Sequence, residues 1–254
     1  MHTTATTQTP TASNTTPDLV GVLVVLLKPS TTRDQQRFED LQILRRRHDQ
    51  AFDRWLPHIT LVPPFTLSSS NAKGTSALEP GTVLEELAQL HAEKLSQIVK
   101  AAAETCSKHS NHQLLLDQVS TFPLRKYTNV HLRPAPTNFH DKRSPSSTSP
   151  PAGAHSSHRI VELQSELSDS LTPLLRATTK IARRRETFKP HVSVGQSTSV
   201  KAAWQLCRSA EMLLKQQGGP GLLCDVDRVQ FMIKPKGFQG AYHVHKELHL
   251  SSNP

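Results

Sequence analysis

Pro57-His58-Ile59-Thr60-Leu61 and Pro190-His191-Val192-Ser193-Val194 are two copies of one short pattern, and their reading decides the fold. On an extended strand successive side chains point to opposite faces, so His58 and Thr60 share one face while Ile59 and Leu61 turn into a core. The second copy repeats this, with His191 and Ser193 on the open face. Facing each other across a cleft, the copies offer two imidazoles that move protons near neutral pH and two hydroxyls that hold anionic oxygens. Such a set suits cleavage of a phosphate ester without metal. His-x-Ser/Thr also occurs at His2, His155 and His249. None of those has a preceding Pro and an apolar residue on both sides of the hydroxyl residue, which sets the two copies apart from chance matches.

Working outward from the copies, helical and strand patterns alternate. Leu19 to Leu27 is an apolar run without polar alternation and predicts a central strand covered on both faces. Phe38, Leu41, Leu44 and Phe52 follow at roughly helical spacing ahead of Pro57. After a polar loop from Ser68 to Gly81, Leu84, Leu87, Leu95, Ile98 and Ala102 predict one helix ending near Cys106. Gln113 to Phe122 and Tyr127 to Arg133 predict two strands, and Ile160, Leu163, Leu167, Leu171 and Leu174 a helix. The Ala182 to Phe188 segment leads into the second copy. A further helix from about Thr198 to Gln217 is stopped by Gly218-Gly219-Pro220-Gly221, and Leu223 to Ile233 with Ala241 to Leu250 predict a closing hairpin.

Composition bounds the domain plan. With 254 residues and 35% hydrophobic content, the chain is expected to form a single domain over 18–250 once flexible segments are set aside. Residues 1–17 are Thr-dominated and expected to be a disordered tail; 251–254 form a C-terminal tail. The Pro, Ser, His and Gly-rich stretch 134–158 is expected to be a flexible insertion, since the apolar pattern resumes beyond it. Cys106, Cys207 and Cys224 lack CxxC spacing, so neither a disulfide framework nor a zinc cluster is indicated. Leu19 to Leu27 is too short to span a bilayer, and the Thr-rich start lacks the basic region of a signal peptide. No membrane association is expected, and the location is read as cytoplasmic or nuclear. A formal charge of +9 favours anionic partners such as RNA or nucleotides.

The two tetrapeptides, His58 to Leu61 and His191 to Val194, together with the order of elements around them, resemble the 2H phosphoesterase superfamily, and within it the LigT-like group of 2′-5′ RNA ligases and RNA 2′,3′-cyclic phosphodiesterases. The resemblance runs from about Leu19 to Leu250, outside the insertion. It implies an α+β, bilobal fold with two pseudo-symmetric lobes around a central cleft. It also implies catalytic His58 and His191 with phosphate-binding Thr60 and Ser193, and an enzyme that opens 2′,3′-cyclic phosphates on RNA ends or nucleotides to 2′-phosphates. Ligation of 2′-5′ RNA is a further activity of the group. The contrasting reading is a non-catalytic RNA or nucleotide-binding module of the same fold, working as a monomer like the enzyme. Members often carry an Arg shortly after the second motif, where this chain has Gly195-Gln196.

His191 is read as the base and His58 as the acid, roles that exchange if the reaction is reversed or the other bond is cleaved. No cofactor is expected. His243, His245 and His249 alternate on the last strand and read as a solvated face rather than a metal site. The triplets Arg45 to Arg47 and Arg183 to Arg185 read as solvated charges before RNA contacts. Phe65, Phe188 and Tyr242 are candidates to stack a nucleobase, with core packing as the alternative for each.

Overall fold

The apolar run that opens the fold is β1 (Leu19–Leu26), one of the two inner strands of a four-stranded sheet. In the computed structural model, which describes residues 18–68, 83–135, 157–175 and 188–252, that sheet has the order β2-β1-β8-β9. Its other strands are β2 (His58–Leu67), β8 (Arg228–Pro235) and β9 (His243–His249). A three-stranded sheet, β4-β5-β6, holds β4 (Gln118–Pro123), β5 (Thr128–Arg133) and β6 (Val192–Ser197). All neighbours in both sheets are antiparallel. Residues 1–17, nearly all of the Ser68 to Gly81 loop, most of the 134–158 insertion and Arg183 to Arg185 lie outside the described residues.

Five helices are described: α1 (Thr32–His48), α2 (Val83–Leu90), α3 (Ala92–Cys106), α4 (Ser157–Leu175) and α5 (Val200–Lys215). The four-stranded sheet is backed by α2, α3 and α4, and the three-stranded sheet by α1 and α5. Each lobe therefore borrows a helix. α1 follows β1 along the chain yet packs on β6, and α4 follows β5 yet packs on β2. The stripe Ile160, Leu163, Leu167 and Leu171 is buried under that contact. One buried apolar cluster runs through both lobes, from Leu19 and Ile59 in the first to Val192 and Leu206 in the second.

Three expectations need correction. The run Gln113 to Phe122 is two strands, β3 (His112–Leu116) and β4, which join different sheets. Leu223 to Ile233 likewise divides into β7 (Leu222–Val226) and β8, so only β8 and β9 make the hairpin. The breaks fall at Asp117 and Asp227, and β3 pairs with β7 between the lobes. Each run thus crosses from the central ribbon to a lobe, a change of direction that burial periodicity does not report. Third, the predicted helix ending near Cys106 is interrupted at His91, which separates α2 from α3. At the edges of these segments, α4 takes in Ser157 and His158, and Ser251 bridges to Ser110.

Gly21 is a packing requirement of this arrangement. A Cβ there would lie 2.7 Å from the Phe65 ring and 2.9 Å from Phe231, which are packed against each other over β1.

Candidate active site

His58 is the first residue of β2, and His191 immediately precedes β6. Both copies show the same burial alternation, with Pro57, Ile59, Leu61 and Pro190, Val192, Val194 buried, and His58, Thr60, His191 and Ser193 half-buried. The two strands also slip register at the same place. Thr60 pairs with Val24 and Val62 with Leu23, leaving Leu61 between them; Ser193 pairs with His131 and Gly195 with Val130, leaving Val194 between. A bulge of this kind bends a strand and re-aims its side chains.

The imidazoles are held alike. His58 Nδ1 lies 2.8 Å from the Leu56 carbonyl oxygen, and His191 Nδ1 lies 2.8 Å from that of Lys189. A carbonyl can only accept, so Nδ1 carries a proton in each ring and Nε2 is left for chemistry. His58 and Ser193, one residue from each copy, line a shared cavity of about 180 Å³ together with Arg45, Asp49, Trp55 and Gln196. His191 is near enough for its charge to bear on His58.

The surroundings of the two imidazoles differ. His58 stacks on Trp55 at 4.4 Å between ring centroids, and Trp55 stacks on Tyr242 at 4.2 Å. Burial pushes the His58 pKa below the ordinary histidine value, with the Leu56 carbonyl opposing and Arg45 assisting. His191 meets Phe122 edge-on at 5.4 Å and His131 at 5.1 Å. His131 is buried and held down to about 4, first by desolvation and then by the positive charges of His191 and Arg133. Asn129, two residues earlier on β5, donates from Nδ2 to Ser193 Oγ at 3.2 Å.

Beneath the cavity the C-terminus of α1 supplies a buried ion pair. Arg45 donates to Asp49 Oδ2 from Nε at 3.0 Å and from Nη2 at 2.8 Å, and Nη2 also donates to the Trp55 carbonyl at 2.8 Å. Gln196 ties β6 to this corner, donating to Asp49 Oδ1 at 3.3 Å and accepting from the Gln50 amide at 3.0 Å. Gly195 beside it has no room for a side chain, since a Cβ would fall 2.6 Å from His48 Cβ and 2.8 Å from the His48 carbonyl oxygen. The Gly195-Gln196 pair therefore serves the contact between α1 and β6.

Other residues singled out in the sequence have these positions. Phe65 is buried against Phe231 and has no face open to a base. Phe188 is half-buried and packs on the main core. Tyr242 is half-buried, with one face on Trp55 and Lys234 Nζ 4.6 Å from its ring centroid. Arg45 is an internal ion-pair partner and not a solvated charge, whereas Arg46 lies over Phe52 and Arg47 is exposed. His243, His245 and His249 are exposed, and among the described residues no three His, Cys, Asp or Glu side chains converge as a metal site would require. Cys106, Cys207 and Cys224 are free thiols. Trp55, Phe122, Asn129 and His131 flank the motif residues without belonging to either motif. Trp55 lies three residues before His58, where a search for aromatics near the motifs finds it, while Phe122, Asn129 and His131 are far from both motifs in the sequence and meet the second only in the fold.

A larger cavity of about 540 Å³ lies elsewhere, at the N-terminal end of α1 against 219–221. It contains no motif residue, and its Arg37 is tied to the Gly221 and Gln216 carbonyls.

Among the described residues no helix is long and apolar enough to cross a membrane. A family model described as the 2′-5′ RNA ligase superfamily matches residues 31–237. No curated protein matches the chain. Solved structures it resembles include Escherichia coli LigT complexed with 3′-AMP, at 13% identity and a TM-score of 0.47 over 92% of this chain and 99% of that one. Kluyveromyces marxianus Usb1 is another, at 10% identity and a TM-score of 0.42 over 91% of this chain and 98% of that one.

Proposed function

The chain belongs to the 2′-5′ RNA ligase superfamily, the 2H phosphoesterases with the LigT-like α+β fold, and we propose that it opens 2′,3′-cyclic phosphates on RNA ends or nucleotides, without a metal, to leave 2′-phosphates. The observation that carries this reading is the matched presentation of two imidazoles. In each copy Nδ1 is bound to the carbonyl two residues earlier, which leaves Nε2 for chemistry, and His58 of one copy shares a cavity with the Ser193 hydroxyl of the other.

The cyclic phosphate sits between β2 and β6. His58, kept neutral by burial against Trp55, takes a proton from the attacking water through Nε2. His191 enters protonated and gives its Nε2 proton to the leaving 3′ oxygen. Thr60 and Ser193 donate to the non-bridging oxygens, where charge builds in the transition state. This assignment reverses the sequence-based one, because the desolvated ring is the one on β2. The positive charge of the chain supports an anionic substrate. Tyr242 contributes through its stack with Trp55, and a base could use its outer face only by displacing Lys234.

Purified protein incubated in EDTA with 2′,3′-cyclic nucleotides and with cyclic-phosphate RNA is expected to release 2′-phosphate products. No turnover on any of them, together with tight binding of a nucleoside 2′-phosphate that survives His58→Ala and His191→Ala, would establish the non-catalytic binder instead.

A further inference from the structure

β5 lies antiparallel beside β6, and its residues Asn129 and His131 underlie Ser193 and His191 respectively. The first motif has no such polar layer. Its neighbouring strand β1 offers Val24 opposite Thr60 and Leu26 opposite His58. Among the described residues no side chain hydrogen-bonds Thr60, so the difference lies in the strand beneath and not in the motifs themselves.

Asn129 is 3% exposed, and its amide has one partner, Ser193 Oγ at 3.2 Å, while its Oδ1 is buried without one. The orientation of the amide follows from this. Turned the other way, Oδ1 would accept from Ser193 and the two N–H groups of Nδ2 would be buried unpaired, whereas an unpaired acceptor is the better tolerated state. With Nδ2 donating, one lone pair of the serine oxygen is filled from below, and the single hydroxyl proton has to point away from β5.

Resting on the phosphoesterase reading of the cleft, we propose that Asn129 is a positioning residue that turns the Ser193 hydroxyl into a fixed hydrogen-bond donor toward the phosphate. His131 in the same layer supports it sterically. Its ring fills the space below His191 beside Phe122, and stays uncharged at neutral pH, so the layer adds no competing cation. The two motif hydroxyls are then unequal. Ser193 is pre-aimed, and Thr60 orients itself only when the substrate arrives.

The test is a double-mutant cycle on kcat and KM for a 2′,3′-cyclic nucleotide, using parent, Asn129→Ala, Ser193→Ala and the pair. Asn129→Ala is expected to lower kcat about three- to tenfold with KM little changed, and to have no further effect once Ser193 is Ala. Asn129→Asp, of the same shape but accepting the serine proton, should lower kcat more than Asn129→Ala, again only when Ser193 is present. Paired with Thr60→Ala, the Asn129→Ala loss should simply multiply. An equal loss from Asn129→Ala with and without the serine hydroxyl would overturn the proposal, as would an Asn129→Asp variant as active as the parent. Circular dichroism of each variant identifies any that fails to fold, and the Asn129→Ala arm then decides alone. If the parent turns over no cyclic phosphate, the functional reading has failed and not this one; the same cycle is then read as the affinity for a nucleoside 2′-phosphate, where additivity of Asn129→Ala and Ser193→Ala overturns the proposal.

Discussion

His58 is gripped from two directions: its Nδ1–H donates to the Leu56 carbonyl, and the Trp55 ring covers a face. That ring is part of the burial that lowers the His58 pKa. Trp55→Ala is expected to rehydrate His58, to move the acid limb of the kcat/KM profile upward toward the ordinary histidine value, and to cut kcat about tenfold through looser placement. A pH–rate series on parent and variant measures both effects. His131 makes a second residue-scale prediction. Its folded pKa, about 4, lies below its unfolded value, so in that interval the unfolded chain binds the extra proton. Stability present above about pH 6.5 is therefore lost as the pH falls toward 4. His58, His91 and His112 are shifted the same way by burial. Thermal melts between pH 7 and 4 should show a falling Tm, with a shallower fall in His131→Phe.

At the scale of elements, the contact between α1 and β6 holds the cleft together, because α1 carries Arg45 and its C-cap Asp49 while β6 carries Ser193 and Gln196. Gly195→Ala would press a methyl group into the His48 backbone, an obstacle that no side-chain rotation removes. The expected cost is about 1–3 kcal/mol in urea unfolding, with a loss of activity larger than Gln196→Ala causes. Much of the element order was legible in the sequence: β1, the α4 stripe and the two motif strands follow from burial periodicity, which packing obeys. The strand changes at Asp117 and Asp227 were not, since a run can keep its period while its two ends pair with different sheets. The site divides in the same way. Its four motif residues repeat and can be found by repetition, whereas Trp55, Asn129 and His131 each occur once, and only the folded chain brings Asn129 and His131 beside the second motif.

Over the whole molecule, an apolar cluster shared by both lobes and helices exchanged between them argue against independent halves. We propose that 18–250 unfolds as one unit, with coincident transitions by circular dichroism and fluorescence. The low apolar content of the 134–158 stretch adds that deleting Asn138 to His155 should leave Tm within a few degrees, whereas a large drop would mean that the stretch packs on the core. The central claim is that the imidazoles of the two repeats work as one acid–base pair. It is tested most directly by kcat/KM for a 2′,3′-cyclic nucleotide in EDTA, measured for the parent, His58→Ala, His191→Ala and the double variant. Each single change should cost roughly a hundredfold or more, with the double variant little worse than either. Near-parent rates in both folded single variants would contradict the account.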